Sequence, residues 1–263
     1  MARNLGLLFT RRKSNLCFWS FCTCISIFSH NAYAVPPLVT GDVPTADKHH
    51  TEWFIGTRYQ KTGSVERQFP FSELVYGISD RQEVTAEMPY LSIKGQRGAG
   101  DAVLGTKYHF LSEENALISA AGSFEVKLDN GNQSKELGSG AIDYDLRLRF
   151  QKTLLWFTGI ANAGYTFVGE PKVDGIRQKR RDVLFFAFAQ EYKITERTTL
   201  LSEIYWKNSD EPHVSHRFAG DVGFKYRLLS NIAIHAAIGK SLREGNLGGP
   251  RLRIYAGMKI EFP

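Results

Sequence analysis

The segment from Ile142 to Phe150 alternates strictly between apolar and charged residues, reading Ile-Asp-Tyr-Asp-Leu-Arg-Leu-Arg-Phe. Because successive side chains of a β-strand point to opposite faces, this strand has one apolar face and one charged face. Turning the charged face toward hydrocarbon would cost up to about 2 to 4 kcal/mol for each arginine at the bilayer midplane. The pattern is therefore typical of a strand that has lipid on one side and a polar interior on the other.

About twelve such segments follow one another along the chain, and most have the roughly 9 to 11 residues of a tilted membrane-spanning strand. Tight polar turns alternate with longer, glycine-rich or charged loops between them, which a soluble β-sandwich has no reason to show. The segments are centred on residues 51–60, 67–76, 82–90, 100–110, 116–128, 139–151, 154–168, 183–193, 198–207, 215–228, 231–242 and 251–262. These patterns predict an all-β fold, a transmembrane antiparallel up-and-down β-barrel of about 12 strands.

The start of the chain has the parts of a secretory signal peptide. It combines four basic residues, an apolar stretch from Leu16 to Phe28 that is too short to span a bilayer as a helix, and a cleavage pattern at Ala32-Tyr33-Ala34. We therefore expect the mature chain to begin at Val35. The predicted division is residues 1–34 as signal peptide, 35–50 as a periplasmic leader or plug segment, and 51–263 as outer-membrane barrel.

Charge and cysteine content narrow the possible functions. Removal of the signal segment takes four basic residues and no acidic ones, which lowers the net charge from +6 to +2. So small an excess gives no reason to expect nucleic acid as a partner. All three cysteines, Cys17, Cys22 and Cys24, lie in the signal segment. The exported chain therefore has neither disulfides nor cysteine-ligated metals.

The C-terminal segment resembles the signal that the barrel-assembly machinery reads. Tyr255, Gly257, Ile260 and the aromatic Phe262 have the expected spacing, although Pro263 follows as a departure. We expect this machinery and outer-membrane lipids as partners. A basic loop could also neutralise lipopolysaccharide phosphates, although a solvated loop would look the same. Its basic residues are Lys172, Arg177, Lys179, Arg180 and Arg181.

A family resemblance rests on motifs that cover about residues 35 to 110. They are Pro70, Tyr76-Gly77, Asp80-Arg81, Pro89-Tyr90, Gly98-Ala99-Gly100-Asp101, Gly105 and Lys107-Tyr108. In these motifs the sequence resembles the outer-membrane barrels labelled as MetA-pathway phenol-degradation proteins, or simply as transporters. The resemblance implies a Gram-negative outer-membrane protein that passes small, often aromatic, compounds.

Strand direction and side-chain parity place two groups of charged residues inside the predicted barrel. The basic wall consists of Arg58, Arg67, Arg217, Arg251 and Arg253, and the acidic wall consists of Glu87, Asp101, Glu125, Asp143 and Asp145. Two interpretations remain open. The walls could form a charged constriction for solutes, or a lattice of salt bridges that stiffens or plugs the barrel.

The same parity predicts an apolar strip inside the seventh to ninth strands. Its members are Trp156, Ile160, Val183, Phe185, Leu201 and Tyr205. Such a strip opposite arginines would suit a small amphipathic solute, an aromatic acid or phenol. Alternatively, the strip packs against a leader that plugs the barrel through Val35, Leu38 and Val39.

No arrangement of residues predicts a cofactor, a metal or an enzymatic activity. The pair Gly98 and Gly100 lacks a third glycine and a following helix, and the Asp129 to Asn132 segment is more typical of a turn than of a calcium site. Ser202 and His216 face lipid as in lipid hydrolases, but the expected register separates them by roughly 17 Å.

The most consistent function is therefore an outer-membrane channel or transporter for small solutes, with aromatic or hydrophobic compounds as candidates. A structural or surface-interaction barrel with a closed lumen is the alternative, and a lipid hydrolase is a distant third.

Overall fold

The computed structural model describes residues 37–62, 64–93, 95–135, 137–173, 176–210, 216–242 and 252–263, with backbone alone for residues 62, 64–71 and 173. The predicted signal peptide and Val35 lie outside these residues. Helical structure within them is limited to one 3₁₀ turn, Gln133–Lys135. None of the described helical segments is long and apolar enough to cross a bilayer.

Twelve long strands form in the described part of the chain, each at the place of one predicted segment. They are β1 (Thr51–Thr62), β2 (Ser64–Ser79), β3 (Gln82–Ile93), β4 (Val103–Leu111), β5 (Ser119–Lys127), β6 (Asp143–Leu154), β7 (Phe157–Phe167), β8 (Val183–Lys193), β9 (Thr198–Lys207), β10 (Arg217–Leu229), β11 (Ile232–Ser241) and β12 (Leu252–Phe262). The predicted fold class and strand number are confirmed.

The sheet closes on itself as an antiparallel barrel. Each strand pairs with the next, and β12 pairs back with β1, from Phe262 opposite Thr51 to Leu252 opposite Lys61. Closure leaves the sheet without a free edge, which is how a barrel satisfies its backbone in lipid. Among the described residues, three short strands lie outside this ring: Gln96–Ala99 pairs with the end of β3, and Lys172–Val173 pairs with Ile176–Arg177.

The two rims of the barrel differ as predicted. The shorter connections join β2 to β3, β4 to β5, β6 to β7, β8 to β9 and β10 to β11, at the end where β1 begins; we call this end the turn rim. The longer connections lie at the opposite end, the loop rim, with the β1–β2 hairpin as the short exception.

The faces of β6 show how the sequence pattern is used. Tyr144, Leu146 and Leu148 are each 44 to 49% exposed on the outer surface, whereas Asp145 and Arg147 point into the lumen and pair with each other. The outer surface is thus apolar and the inner surface charged, as the cost of placing arginine in hydrocarbon requires. Exposed aromatic residues also lie on the outer face near the turn rim: Tyr76, Tyr108, Phe110, Phe150, Tyr226 and Phe262.

The leader, described from residue 37 to residue 50, lies inside the barrel. At the turn rim, Lys48 forms a β-bridge with Gly77 of β2. At its other end, the carbonyl of Pro37 accepts a hydrogen bond from Arg253, the second residue of β12, near the loop rim. The leader therefore extends through much of the height of the lumen.

Two glycines permit the leader's close approach to the wall. A Cβ at Gly77 would overlap the carbonyl oxygens of Ala46 and Asp47, and a Cβ at Gly41 would collide with the guanidinium of Arg149. Gly77 thus lets the backbone of the leader approach the backbone of β2, and Gly41 leaves space for the side chain of Arg149.

Candidate functional site: the occupied lumen

Glu203 on β9 binds the part of the leader nearer the loop rim. Its carboxylate accepts hydrogen bonds from the N–H of Val39 at 2.8 Å and from the N–H and hydroxyl of Thr40 at 2.8 and 2.6 Å. Arg253 lies 3.5 Å from the same carboxylate and donates to the carbonyl of Pro37 at 3.0 Å. Charged acceptors make stronger hydrogen bonds than neutral ones, so Glu203 is a firm attachment point.

A row of direct strand partners completes this attachment. Glu203 lies opposite Asp221, Asp221 opposite Gly239, and Gly239 opposite Arg253. A Cβ at Gly239 would overlap the carboxylate of Asp221. The glycine therefore leaves the space through which Asp221 reaches across one strand to pair with Arg253.

Asn162 on β7 binds the middle of the leader as a backbone partner would. Its amide oxygen accepts from the N–H of Gly41 at 2.8 Å, and its amide nitrogen donates to the Gly41 carbonyl at 2.8 Å. Gln151 of β6 accepts from the N–H of Val43 at 3.4 Å. Since the leader has no regular structure here, the wall supplies the hydrogen-bond partners that its buried backbone needs.

A buried cluster of charged side chains surrounds the part of the leader nearer the turn rim. Asp42 pairs with Lys107 at 3.3 Å, and Lys107 also pairs with Glu83 at 3.0 Å. Glu83 accepts from the N–H of Ala46 at 2.7 Å, and Arg149 donates to the Asp42 carbonyl at 3.3 Å. Burial raises the pKa of Asp42, and the nearby Lys107 ammonium opposes that rise.

We refer to the wall side chains that bind the leader as the leader clamp. They are Glu83, Lys107, Arg149, Gln151, Asn162, Glu203 and Arg253.

The leader packs against three of the six residues of the predicted apolar strip. Ile160 packs against Leu38, and Phe185 with Tyr205 packs against Val39. The remaining strip residues Val183 and Leu201 are also buried. These contacts correspond to the alternative in which the strip packs against the leader.

Trp156 is the exception, because the predicted inward position is wrong. It is 60% exposed in the turn between β6 and β7 and stacks on Tyr192 at 5.8 Å. The predicted strand began at residue 154, but Leu155 takes a positive φ of 51° in a tight turn and β7 begins only at Phe157. Parity counted from the strand start therefore does not apply to Trp156.

The predicted basic wall divides into two parts. Arg58 and Arg217 line the cavity that remains beside the leader, whereas Arg253 belongs to the leader clamp. Arg67 lies in β2, where the backbone alone is described, and Arg251 lies outside the described residues.

The predicted acidic wall also divides. Glu87 and Glu125 line the open lumen, while Asp143 pairs with Lys127, and Asp145 pairs with Arg147 at 2.7 Å. Asp101 differs from its predicted position. It precedes β4, which begins at Val103, and its carboxylate accepts from the N–H groups of Gly131 and Ser139 in the loop between β5 and β6. Asp101 therefore fastens a loop at the loop rim.

The leader leaves a cavity of about 400 Å³ beside it. Residues 38–42 form one side of this cavity, and charged residues of the wall form much of the rest. The charged residues of the wall are Arg58, Glu73, Glu83, Glu87, Lys107, Glu125, Arg147, Arg149, Lys207, Arg217 and Arg253. The unfilled part of the lumen is thus polar, while the apolar side is occupied by the leader.

The sequence analysis missed most of the leader clamp. Glu203 lies between Leu201 and Tyr205 on the inward side of β9, and Asn162 follows Ile160 on the inward side of β7. A single acid or amide between apolar inward neighbours was the signal that could have revealed both.

The residues of the predicted assembly signal lie on both faces of β12. Tyr255 is 1% exposed and points into the barrel, whereas Ile260 and Phe262 both point to the outer face. Gly257 lies opposite Gly56 of β1. Recognition by the assembly machinery stays a prediction.

Neither a metal centre nor a hydrolase pair is assembled in the ranges that the structure describes. No group of three or more His, Asp or Glu side chains there could hold a metal ion. Ser202 lies opposite Val222, but Lys207 lies opposite Arg217, so His216 is separated from Ser202 by several strand residues.

The fold and the lumen define the class: a closed twelve-stranded barrel with an N-terminal leader inside it. The solved structure of the COG4313 outer membrane channel from Pseudomonas putida F1 is similar in fold, with a TM-score of 0.71 and 14% identity over 86% of this chain and 100% of that chain. The KdgM porin is also similar, with a TM-score of 0.56 and 13% identity over 80% of this chain and 99% of that chain. The NanC porin has a TM-score of 0.58 and 10% identity over 80% of this chain and 98% of that chain. Such identities establish the fold alone. No family model and no curated protein sequence matches the chain.

Proposed function

We propose that the chain is an outer-membrane channel of a Gram-negative bacterium, which passes small solutes passively and is closed by its leader in the conformation described here. The predicted signal peptide and the apolar outer surface support this location. The solved structures of similar fold are named as channels or porins, which supports the transport role.

One observation carries the proposal: the leader is held mainly by hydrogen bonds and lies beside a preformed cavity. Leu38, Val39 and Ala46 pack against hydrophobic clusters of the wall, and Val43 is also buried. Because water can replace them, individual hydrogen bonds contribute only about 0.5 to 1.5 kcal/mol net between neutral groups and about 1.5 to 3 kcal/mol when one group is charged. A segment attached in this way can leave the lumen without unfolding the barrel.

The alternative is a permanently closed structural barrel, and a lattice of buried ion pairs favours it. Lys225 pairs with Glu191 at 2.9 Å and Lys259 with Glu52 at 3.3 Å, in addition to the pairs of Lys107. Such pairs stiffen the wall but do not fill the cavity. They are therefore compatible with a channel as well.

Aromatic or hydrophobic solutes are the second part of the proposal. The resemblance to MetA-pathway barrels suggests them, and release of the leader would uncover Phe185 and Tyr205 beside the cavity that Arg58 and Arg217 line. A liposome-swelling assay that compares benzoate with a sugar of similar size tests this preference. Equal rates for the two solutes would contradict it.

Planar-bilayer conductance of the purified mature protein tests the channel itself. We expect brief, small openings in the wild type, and sustained larger openings in a variant that lacks residues 37–46 but keeps Lys48 and its bridge to Gly77. Both proteins should migrate differently on gels before and after boiling, which shows that the barrel is folded. A folded deletion variant that conducts no ions would support the structural barrel instead.

A further inference from the structure

Five inward residues of neighbouring strands form one row across the barrel wall near the loop rim. Arg147 of β6 lies opposite Gly164, Gly164 opposite Phe185, Phe185 opposite Lys207, and Lys207 opposite Arg217. Since adjacent strands are about 4.8 Å apart, the row places three cations on a short arc of the wall.

Gly164 shapes this arc. A Cβ at that position would meet Cγ of Arg147 at 3.2 Å, so the missing side chain leaves space for Arg147 to lie across the strand. The guanidinium carbon of Arg147 then stands 4.8 Å from the ring centroid of Phe185. This contact holds the cation over Phe185, the direct strand partner of Lys207.

The cations of the row exceed the carboxylates that neutralise them. Arg147 is paired with Asp145 at 2.7 Å, but in the described part of the chain neither Lys207 nor Arg217 forms an ion pair. The Nε of Arg217 is buried and has no hydrogen-bond partner. Two like charges at directly opposite positions of adjacent strands repel each other, and a buried unpaired donor is costly.

The geometry points to a missing anion, and we propose that Lys207, Arg217 and Arg147 bind the carboxylate of a small organic acid. All three side chains line the cavity beside the leader. A guanidinium fork and an ammonium group match the two oxygens of a carboxylate. Tyr205, two residues before Lys207 on the same inward face, also lines the cavity and offers a ring beside the site.

The proposal deepens the channel function and rests on it, because a solute must enter the lumen to reach the row. The site lies at the loop rim, where β9 ends and β10 begins. An acid entering from that side would reach the cations at the loop-rim ends of these two strands. The site would thus select the solutes that arrive at the closed part of the lumen.

Calorimetric titration of the detergent-solubilised mature protein tests the site without any measurement of transport. Benzoate is the probe, and benzamide, which has the same shape without the charge, is the matched ligand control. We expect Lys207→Gln and Arg217→Gln each to weaken benzoate binding about tenfold, while Lys207→Arg, which keeps the charge, retains it. Lys240→Gln, at an exposed outward position of β11, should bind as the wild type does.

A second measurement covers the case in which a variant binds poorly because it is distorted. Removing one cation relieves the repulsion in the row, so without benzoate Lys207→Gln should have a higher melting temperature than the wild type. Addition of benzoate should raise the melting temperature of this variant less than that of the wild type. Equal binding of benzoate and benzamide by the wild type would overturn the proposal, as would unchanged benzoate affinity in both glutamine variants. Conductance without benzoate binding would contradict this site but not the channel function. Benzoate binding without conductance would support the site and contradict the channel function.

Discussion

Glu203 shows at the scale of one residue how the lumen is kept closed. It accepts three hydrogen bonds from Val39 and Thr40, and hydrogen bonds to a charged group contribute about 1.5 to 3 kcal/mol each. Glu203→Gln keeps the side-chain volume but loses the charge and one acceptor oxygen. We expect docking of the leader to weaken by about 2 kcal/mol, roughly thirtyfold.

The reactivity of a thiol placed in the leader measures this change. Val43 is fully buried, and every cysteine of the chain lies in the predicted signal peptide, so Val43→Cys introduces a single protected thiol. Its labelling by a maleimide should be roughly thirtyfold faster when Glu203→Gln is added. Glu114→Gln, in an exposed turn, is the control and should leave the rate unchanged. Equal rates in all three proteins would show that Glu203 does not hold the leader.

At the scale of an element, the leader carries a pH response through Asp42. Burial in the docked state raises the pKa of this carboxyl above its ordinary value of 3.8, although the cations Lys107, Arg149 and Lys225 oppose the rise and the anion Glu83 adds to it. The docked leader thus binds a proton more readily than the released one. Docking should therefore be strongest below the ordinary pKa and weaken as the pH rises through the raised pKa of the docked state.

Conductance recorded across a pH series checks the sign of this response. We expect the open fraction of the wild type to increase as the pH is raised from about 4, because the docked carboxyl must give up its proton. Asp42→Asn imitates the protonated form and leaves Lys107 paired with Glu83, so its open fraction should stay low and change less. An open fraction that falls with rising pH would contradict this assignment.

The strands were predictable because alternation is a local property. In β6 the nine residues from Ile142 to Phe150 already show which face meets lipid, and the twelve segments appear in the structure with shifted ends. The prediction that Trp156 points inward was wrong because Leu155, a turn residue with a positive φ, moves the start of β7. Side-chain parity is reliable within a strand, but the residue at which the strand begins depends on turn geometry, which the alternation of the sequence does not show.

The path of the leader was not predictable in the same way. Its contacts join residues far apart in sequence, such as Thr40 with Glu203 and Gly41 with Asn162. No periodicity marks them, because the leader has no regular structure. The sequence analysis could name the apolar strip and the leader as partners, but an aromatic solute explained the strip equally well.

At the scale of the whole molecule, the barrel divides its lumen into two sides. On one side the leader packs against apolar residues of β7 to β10, and on its other side the charged cavity remains, which reaches Lys207 and Arg217 at the loop-rim ends of β9 and β10. Both sides depend on closure of the ring, which is the last pairing that the chain can form. In that pairing Phe262 of β12 meets Thr51 of β1, the first residue after the leader.

This position makes the end of β12 decisive for assembly, and a pair of deletions tests it. Phe262 occupies the last position of the strand and is 43% exposed on the outer face, whereas Pro263 lies beyond the strand. Deleting Phe262 and Pro263 together should lower the amount of heat-modifiable barrel in outer-membrane fractions, because the closing strand loses its terminal aromatic residue and its pairing with Thr51. Deleting Pro263 alone should have little effect, since no strand pairing involves it. Equal assembly of both variants would show that Phe262 is not required, and recovery of the wild type in the soluble periplasm would contradict the membrane location itself.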